Sequence, residues 1–408
     1  MNVRDISWVF LRLMSRGALP VPPDTAITQH HVVPFWTGYN AQLLQAKDTY
    51  RAIAYAPIID AKPADMGTVF TNMIKCKEMT NHLGQEITVQ TMDQQLFAIA
   101  QQVKWAEPHL FANTLVRLGG FHTACCFIAS LGKIWGDAGL CDLLVDSEVY
   151  AAATTAQMLD GKQYNRSIRG LTLAFEAMME HCICRFMKWC PTEIPGTVWD
   201  KLETALSSLC IGNDQPCDAS LSDLENELAD QVLPLLIQFE EWGCTQLPTF
   251  CFWVMFMHVM SVLLMSVRAE RDGDRAMHLH TVYYMLRYFF VCDRKHYARW
   301  TPMYLLSMQE IPSEVKTLFE SGQFNVRQSV GRFNGIWSDL GTEKTIIRDT
   351  KSESGIVGLT RKKSALTRWT LTRHLARCIQ QSGEETQWTS IKSEYICPCP
   401  APTCCYGT

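Results

Sequence analysis

The stretch ITVQTMDQQLFAIAQQVKWAEPHLFANTLVRLGGFHTACCFI, residues 87–128, decides how the chain is read. β-Branched residues alternate through ITVQTM (87–92), the period-2 pattern of a half-buried strand, and the run stops at Asp93. Leu96, Ile99, Ala100 and Val103 then recur at helical spacing and predict an amphipathic helix. A second strand, 114–118, meets Gly119–Gly120, and a helix rich in small apolar residues starts near Phe121.

Upstream, alternation over residues 52–59 predicts another short strand. Asp65 has the place of a helix N-cap, Met66, Val69, Phe70, Met73 and Ile74 form the stripe behind it, and Gly84 has the place of the C-terminal cap. Strand–helix repeated three times predicts right-handed crossovers and a largely parallel central sheet. In such sheets chemistry collects at the carboxyl ends of strands, and Asp93 sits at one of them.

From about residue 150 the pattern is helical. Ser220 and Asp223 resemble a capping box, and Leu221, Leu224, Leu228, Val232, Leu235 and Phe239 follow at helical spacing. Residues 250–267 are almost wholly apolar and approach the length of a membrane span. His258 and Ser261 interrupt that run, and Arg268, Glu270 and Arg271 follow it, so a buried core helix is expected. Residues 191–195 and 212–218 have loop composition, and 333–347 suggest a helix with Asp339 and Glu343 four apart on one face. The organisation expected is an N-terminal segment, partly extended (1–50), an α/β core (51–149), a helical insertion (150–315), C-terminal core helices with a basic stretch (316–380), and a disordered tail.

Composition narrows the class. The chain has 408 residues, 47% apolar and 19% charged, which is ordinary globular stock. A net charge of −4 argues against a surface that coats nucleic acid everywhere, yet residues 344–378 hold nine Lys or Arg against Asp349 and Glu353. The 17 cysteines are odd in number and scattered, many in apolar segments, and the first 20 residues lack a signal-peptide pattern. A reducing, intracellular compartment without a membrane span is expected. Cys397, Cys399, Cys404 and Cys405 offer four thiolates, but C-x-C and C-C spacing broken by prolines is not that of the common zinc folds. No phosphate-cradling glycine loop, serine elbow or kinase motif occurs.

Three residues stand out chemically. Asp93 ends a strand and opens a helix, a common way to present a metal ligand and an equally common helix cap. Glu343 is a helical acid of the kind usually found solvated at a surface. His122, in RLGGFHTACC, stands at a strand-to-helix junction, where a satisfied core histidine and a supporter of a carboxylate site look alike.

Five runs resemble an uncharacterised family of invertebrate proteins associated with mobile elements: residues 56–69, 83–105, 115–140, 296–312 and 355–369. The likeness spans about residues 30–380. A second resemblance, over residues 87–128, is to the centre of Mutator-like cut-and-paste DNA transposases. It implies an RNase H-like mixed or parallel sheet interrupted by the helices, with Asp93 as the second catalytic aspartate, His122 as its accompanying histidine and Glu343 as the closing glutamate. It further implies Mg²⁺ held by Asp93 and Glu343, DNA as partner, a nuclear location, and Arg361, Lys362, Lys363 and Arg368 on the phosphate backbone. The departure is the first aspartate. Only about fifty residues precede Ile53, and Asp60, the acid available, lies on a strand at the third strand's place. That opens a rival expectation, a non-catalytic DNA- or protein-binding module of the same origin.

Overall fold

The computed structural model describes residues 1–19, 32–43, 59, 61–210, 218–327 and 332–343. In chain order the elements are α1 (Val3–Ser15), α2 (Trp36–Gln42), α3 (Met66–His82), β1 (Thr88–Met92), α4 (Gln94–Ala106), β2 (Thr114–Leu118) and α5 (Gly120–Trp135). Helices α6 (Cys141–Asp146), α7 (Ala152–Leu159), α8 (Tyr164–Trp189), α9 (Gly196–Cys210) and α10 (Asp218–Glu227) follow. Then come α11 (Leu233–Gln246), α12 (Pro248–Asp272), α13 (Arg275–Val291), α14 (Lys295–Gln309) and α15 (Ser313–Leu318). A short hairpin, β3 (Val326–Arg327) and β4 (Gly335–Ile336), leads to α16 (Ser338–Thr342).

The segment 87–128 folds as its pattern predicts. Strands β1 and β2 pair in parallel, Thr88 opposite Thr114 through Met92 opposite Leu118. The Asp65 side chain accepts the Thr68 N–H, as an N-cap should, and Gly84 closes α3 at φ +72°, a conformation glycine adopts without strain. On α4 the deepest residue is Phe97, with Ala100 and Val103 beside it, while Leu96 and Ile99 are half-buried. The stripe is therefore rotated by about one position from the one the spacing suggested. Met73, Phe97 and Phe111 have no exposed surface, and each such side chain contributes about 1.5–3 kcal/mol of burial free energy.

The sheet is where expectation and structure part. The RNase H-like sheet core is not found: among the described residues the strands are this one parallel pair and the short antiparallel hairpin, and the remaining regular structure is helical. The reason is pattern length. A strand pattern persists for five residues at each of two places, alternating in β1 and buried throughout in β2, whereas apolar residues elsewhere repeat at helical spacing and bury against other helices. Residues 52–58, the third expected strand, lie outside the described residues.

Two apolar cores result. One joins β1, β2, α3 and α4 to α14 and α15 through Trp300, Tyr304 and Val315. The larger one gathers α1, α5 and α7–α12 around Trp8, Trp135, Phe175 and Leu263. The helices over 150–315 thus form the main body rather than an appendage.

The N-terminal segment, expected to be partly extended, starts with a helix whose Trp8, Val9, Phe10 and Leu11 are wholly buried. Arg4, Asp5 and Arg12 made its apolar stretch look broken, but each meets an opposite charge: Glu225, Arg268 and Glu176. The capping-box reading of Ser220 is also displaced, since α10 starts at Asp218 and a wider turn, Leu228–Val232, carries it towards α11. The predicted helix over 333–347 starts only at Ser338, after β4.

Helix α12 is long and apolar enough to cross a membrane by length and composition, as is the stretch Gly120–Asp146. In the fold α12 packs against α5, α8, α11 and α13. Its polar residues are engaged, His258 with Glu240 at 2.8 Å and Ser261 as acceptor of the Asn2 N–H at 3.0 Å. The described cysteines are free thiols, Cys182 and Cys292 buried among them.

Candidate functional site

The parallel pair sets the site. One residue beyond the end of β2, the Gly119 N–H donates to the carbonyl of Met92, the last residue of β1, at 2.6 Å, so the ladder runs to the carboxyl ends of both strands. Asp93 and the Gly119–Gly120 turn are therefore brought side by side. Asp93 does cap α4, its Oδ1 accepting the Leu96 N–H at 2.8 Å, and it is half-buried.

Helix α16 reaches this junction from the other end of the chain. The Asp339 carboxylate, 8% exposed, accepts the Phe121 and His122 backbone N–H groups at 3.3 and 3.2 Å. It thus caps the start of α5, where an anion meets unsatisfied donors and the positive end of the helix. The same carboxylate lies 3.0 Å from His122 Nδ1, so Nδ1 is the donor nitrogen and Nε2 faces outward. Glu343, one turn further, places Oε1 3.8 Å from that Nε2.

The tandem glycines make this approach feasible. A Cβ on Gly119 would overlap Asp339 Oδ2 and stand 3.0 Å from the Met92 carbonyl. On Gly120 it would stand 2.5 Å from Trp337 Nε1. Trp337 packs edge-on to Tyr164 (5.4 Å between centroids) and lies 6.4 Å from Phe121, which forms one wall of the site. Behind it, buried His278 lies between Glu270, at 2.8 Å without hydrogen-bond alignment, and the Tyr304 hydroxyl at 3.1 Å.

Electrostatics follow the geometry. The Asp339 hydrogen bond raises the His122 pKa against the opposing effect of burial, and the charges of Asp339, Asp93 and Glu343 add to the rise. Burial pushes the Cys125 thiol up to about 12, with help from Asp339 and Glu343, so it is no nucleophile. Tyr297 is raised by burial and by neighbours that include Asp339 and Asp93.

Of the residues singled out in the sequence, Asp93, His122 and Glu343 are brought together. Asp60 and the cations Arg361, Lys362, Lys363 and Arg368 lie outside the described residues, as do the four tail cysteines. Asp339 was visible only as a partner of Glu343 four residues away. The available signal for its role was the Gly-Gly pair at a strand-to-helix junction, which leaves room for a foreign carboxylate. Nothing local in the sequence marked Tyr164, His278 or Trp337.

The donor set suits a hard cation only in part. Asp93 and Glu343 offer carboxylate oxygens, and Mg²⁺ characteristically takes one or two of these and fills its shell with water and phosphate oxygens. Among the described residues no three His, Cys, Asp or Glu side chains are grouped as a metal cage. What the arrangement provides is an imidazole whose inner nitrogen is fixed by Asp339 and whose outer nitrogen lies 3.8 Å from Glu343, with the charge of Asp93 adding to theirs.

Fold and site define a predominantly helical protein with a carboxylate–histidine cluster at the carboxyl end of a βαβ unit. A family model described as a domain of unknown function (DUF8702) matches residues 35–395, and the chain belongs to that family. No curated protein and no solved structure matches it.

Proposed function

We propose that the chain derives from a mobile-element transposase and that the cluster at His122 is its site for metal-dependent cleavage or transfer of DNA phosphodiesters. The supporting observation is convergence: Glu343 Oε1 lies 3.8 Å from His122 Nε2, and Asp93, 250 positions earlier in the chain, ends the strand paired beside that histidine's helix and adds its charge to the same imidazole. In this reading Asp93 and Glu343 would hold Mg²⁺, which when bound would supply a Lewis acid and an activated water. His122 holds or moves a proton at Nε2, near the leaving or attacking oxygen. Asp339 fixes the ring and stabilises its protonated form, the part a buried carboxylate plays beside a working histidine. Phe121 and Trp337 limit water on one side. The location that goes with this reading is nuclear, and the partner is DNA.

The test is nicking of supercoiled DNA with Mg²⁺ by the wild type, Asp93→Asn and Glu343→Gln. The expected result is a loss of at least about 100-fold in each variant, as for removal of a group acting on the transition state. Equal nicking by all three, or none by any, removes the catalytic reading. A second reading, a non-catalytic DNA- or protein-binding module of the same origin, is favoured by one observation: Asp339 and Asp93 both serve as helix caps, and no closed metal cage surrounds them.

A further inference from the structure

Helix α13 has a feature that the carboxylate cluster does not use. Its sequence, RAMHLHTVYYMLRYFFV, contains no Asp or Glu in 17 residues. Its outward face carries His280, Tyr283, Tyr284, Arg287, Phe290 and Val291, spaced three and four apart and all exposed. Large exposed aromatics on one helix face call for an occupant.

The cation on this face is prearranged. The Arg287 guanidinium lies over the Tyr284 ring at 4.7 Å and over Tyr288 at 5.9 Å. The His280 ring stands 4.7 Å from that of Tyr284. Beside them, between α12 and α13, opens a cavity of about 380 Å³ lined by His258, His280, Tyr284, Arg287 and Tyr288. Among the described residues no acid lines it, and Glu240, 7% exposed, lies 2.8 Å from the lining residue His258.

The charge pattern extends along the chain. From Arg275 to Gln309, Asp293 is the one acid against Arg275, Arg287, Arg294, Lys295 and Arg299, in a protein whose net charge is −4. Arg275 and Arg294 are tied to backbone carbonyls. Lys295, His296 and Arg299 are exposed, as is Arg287.

A guanidinium among exposed aromatic rings, on a helix without a carboxylate, complements a chain that is anionic along its backbone and flat at its side groups. We propose that the outer face of α13 binds single-stranded DNA, stacking bases on Tyr284, His280 and Tyr283 and holding phosphate with Arg287. Unstacked bases need free ring faces, which a paired duplex does not present. A protein ligand would match Phe290 and Val291 but gives no reason for an acid-free helix. The proposal rests on the reading of the chain as DNA-directed and names the form of DNA it takes. Binding measured without divalent cation keeps it separate from catalysis.

The experiment is fluorescence anisotropy of a labelled single-stranded oligonucleotide with the full chain in EDTA. Tyr284→Ala and Arg287→Glu, both at exposed positions, are checked for unchanged circular dichroism and melting. Each weakens binding by at least about tenfold, and Arg287→Glu lowers the salt dependence by about 0.7 in logarithmic slope. Binding in EDTA calls on neither Asp93 nor Glu343, so a failure of catalysis leaves this result standing. The proposal is overturned if folded variants bind within about twofold of wild type, or if the duplex binds as tightly as the single strand. It is equally overturned if the variants change only self-association.

Discussion

Arg268→Ala lowers the free energy of unfolding by about 3–5 kcal/mol, the range for removing one partner of a buried ion pair. The Arg268 and Asp5 side chains are 1% and 0% exposed. Arg268 also donates to Asn40 Oδ1 at 2.8 Å and to Asn2 Oδ1 at 3.2 Å, and its guanidinium stands 5.5 Å from the Trp36 ring centroid. Truncation strands the Asp5 carboxylate with the Trp36 indole N–H as its remaining donor, at 2.8 Å. One charge therefore holds three elements, α1, α2 and α12. Chemical denaturation of the wild type and variant measures the loss. A change below about 1 kcal/mol, as for a surface pair, would mean that these helices do not meet in this way.

Gly120→Ala is the second large effect, and its sign is what makes it informative. A glycine-to-alanine change in a helix ordinarily stabilises by up to about 1 kcal/mol. Here the added Cβ lies 2.5 Å from Trp337 Nε1, so α16 is pushed off and about 1–3 kcal/mol is lost. Displacing α16 also takes Asp339 from His122, whose raised pKa then falls back towards the ordinary value. The sign on stability follows. A histidine with a raised folded pKa contributes stability below its unfolded pKa of about 6.5, and that contribution disappears as pH rises through the folded pKa. The variant therefore loses most at acid pH and less at alkaline pH. Denaturation at both pH values, with an NMR titration of the His122 ring, checks both parts. A variant as stable as the wild type, with the His122 pKa unmoved, would contradict the close approach.

The local pieces of the site were legible and its assembly was not. Asp65, Asp93 and Gly84 stood where capping chemistry requires them, and both strands of the βαβ unit appeared at their predicted positions, because each signal lies within a few residues. The sheet was overread. Three short strand–helix repeats were extended to a largely parallel central sheet, and its RNase H-like form was supplied by resemblance rather than by further alternation. Helix α1 was missed because charged residues interrupt its apolar run, and their partners, Glu176, Glu225 and Arg268, lie hundreds of positions away or nearly so. Asp339 was hidden for the same reason. Its neighbours Gly119 and Phe121 come from a distant part of the chain, and only folding places them there.

The central claim is that Asp93 and Glu343 serve one cation beside His122. Paramagnetic Mn²⁺ in place of Mg²⁺ tests this most directly, by line broadening of the histidine ring signals. The account predicts that the His122 ring broadens first, that His258 and His280 stay sharp, and that Asp93→Asn or Glu343→Gln abolishes the effect. A His122 signal that remains sharp in the wild type, or broadens equally in both variants, would contradict it.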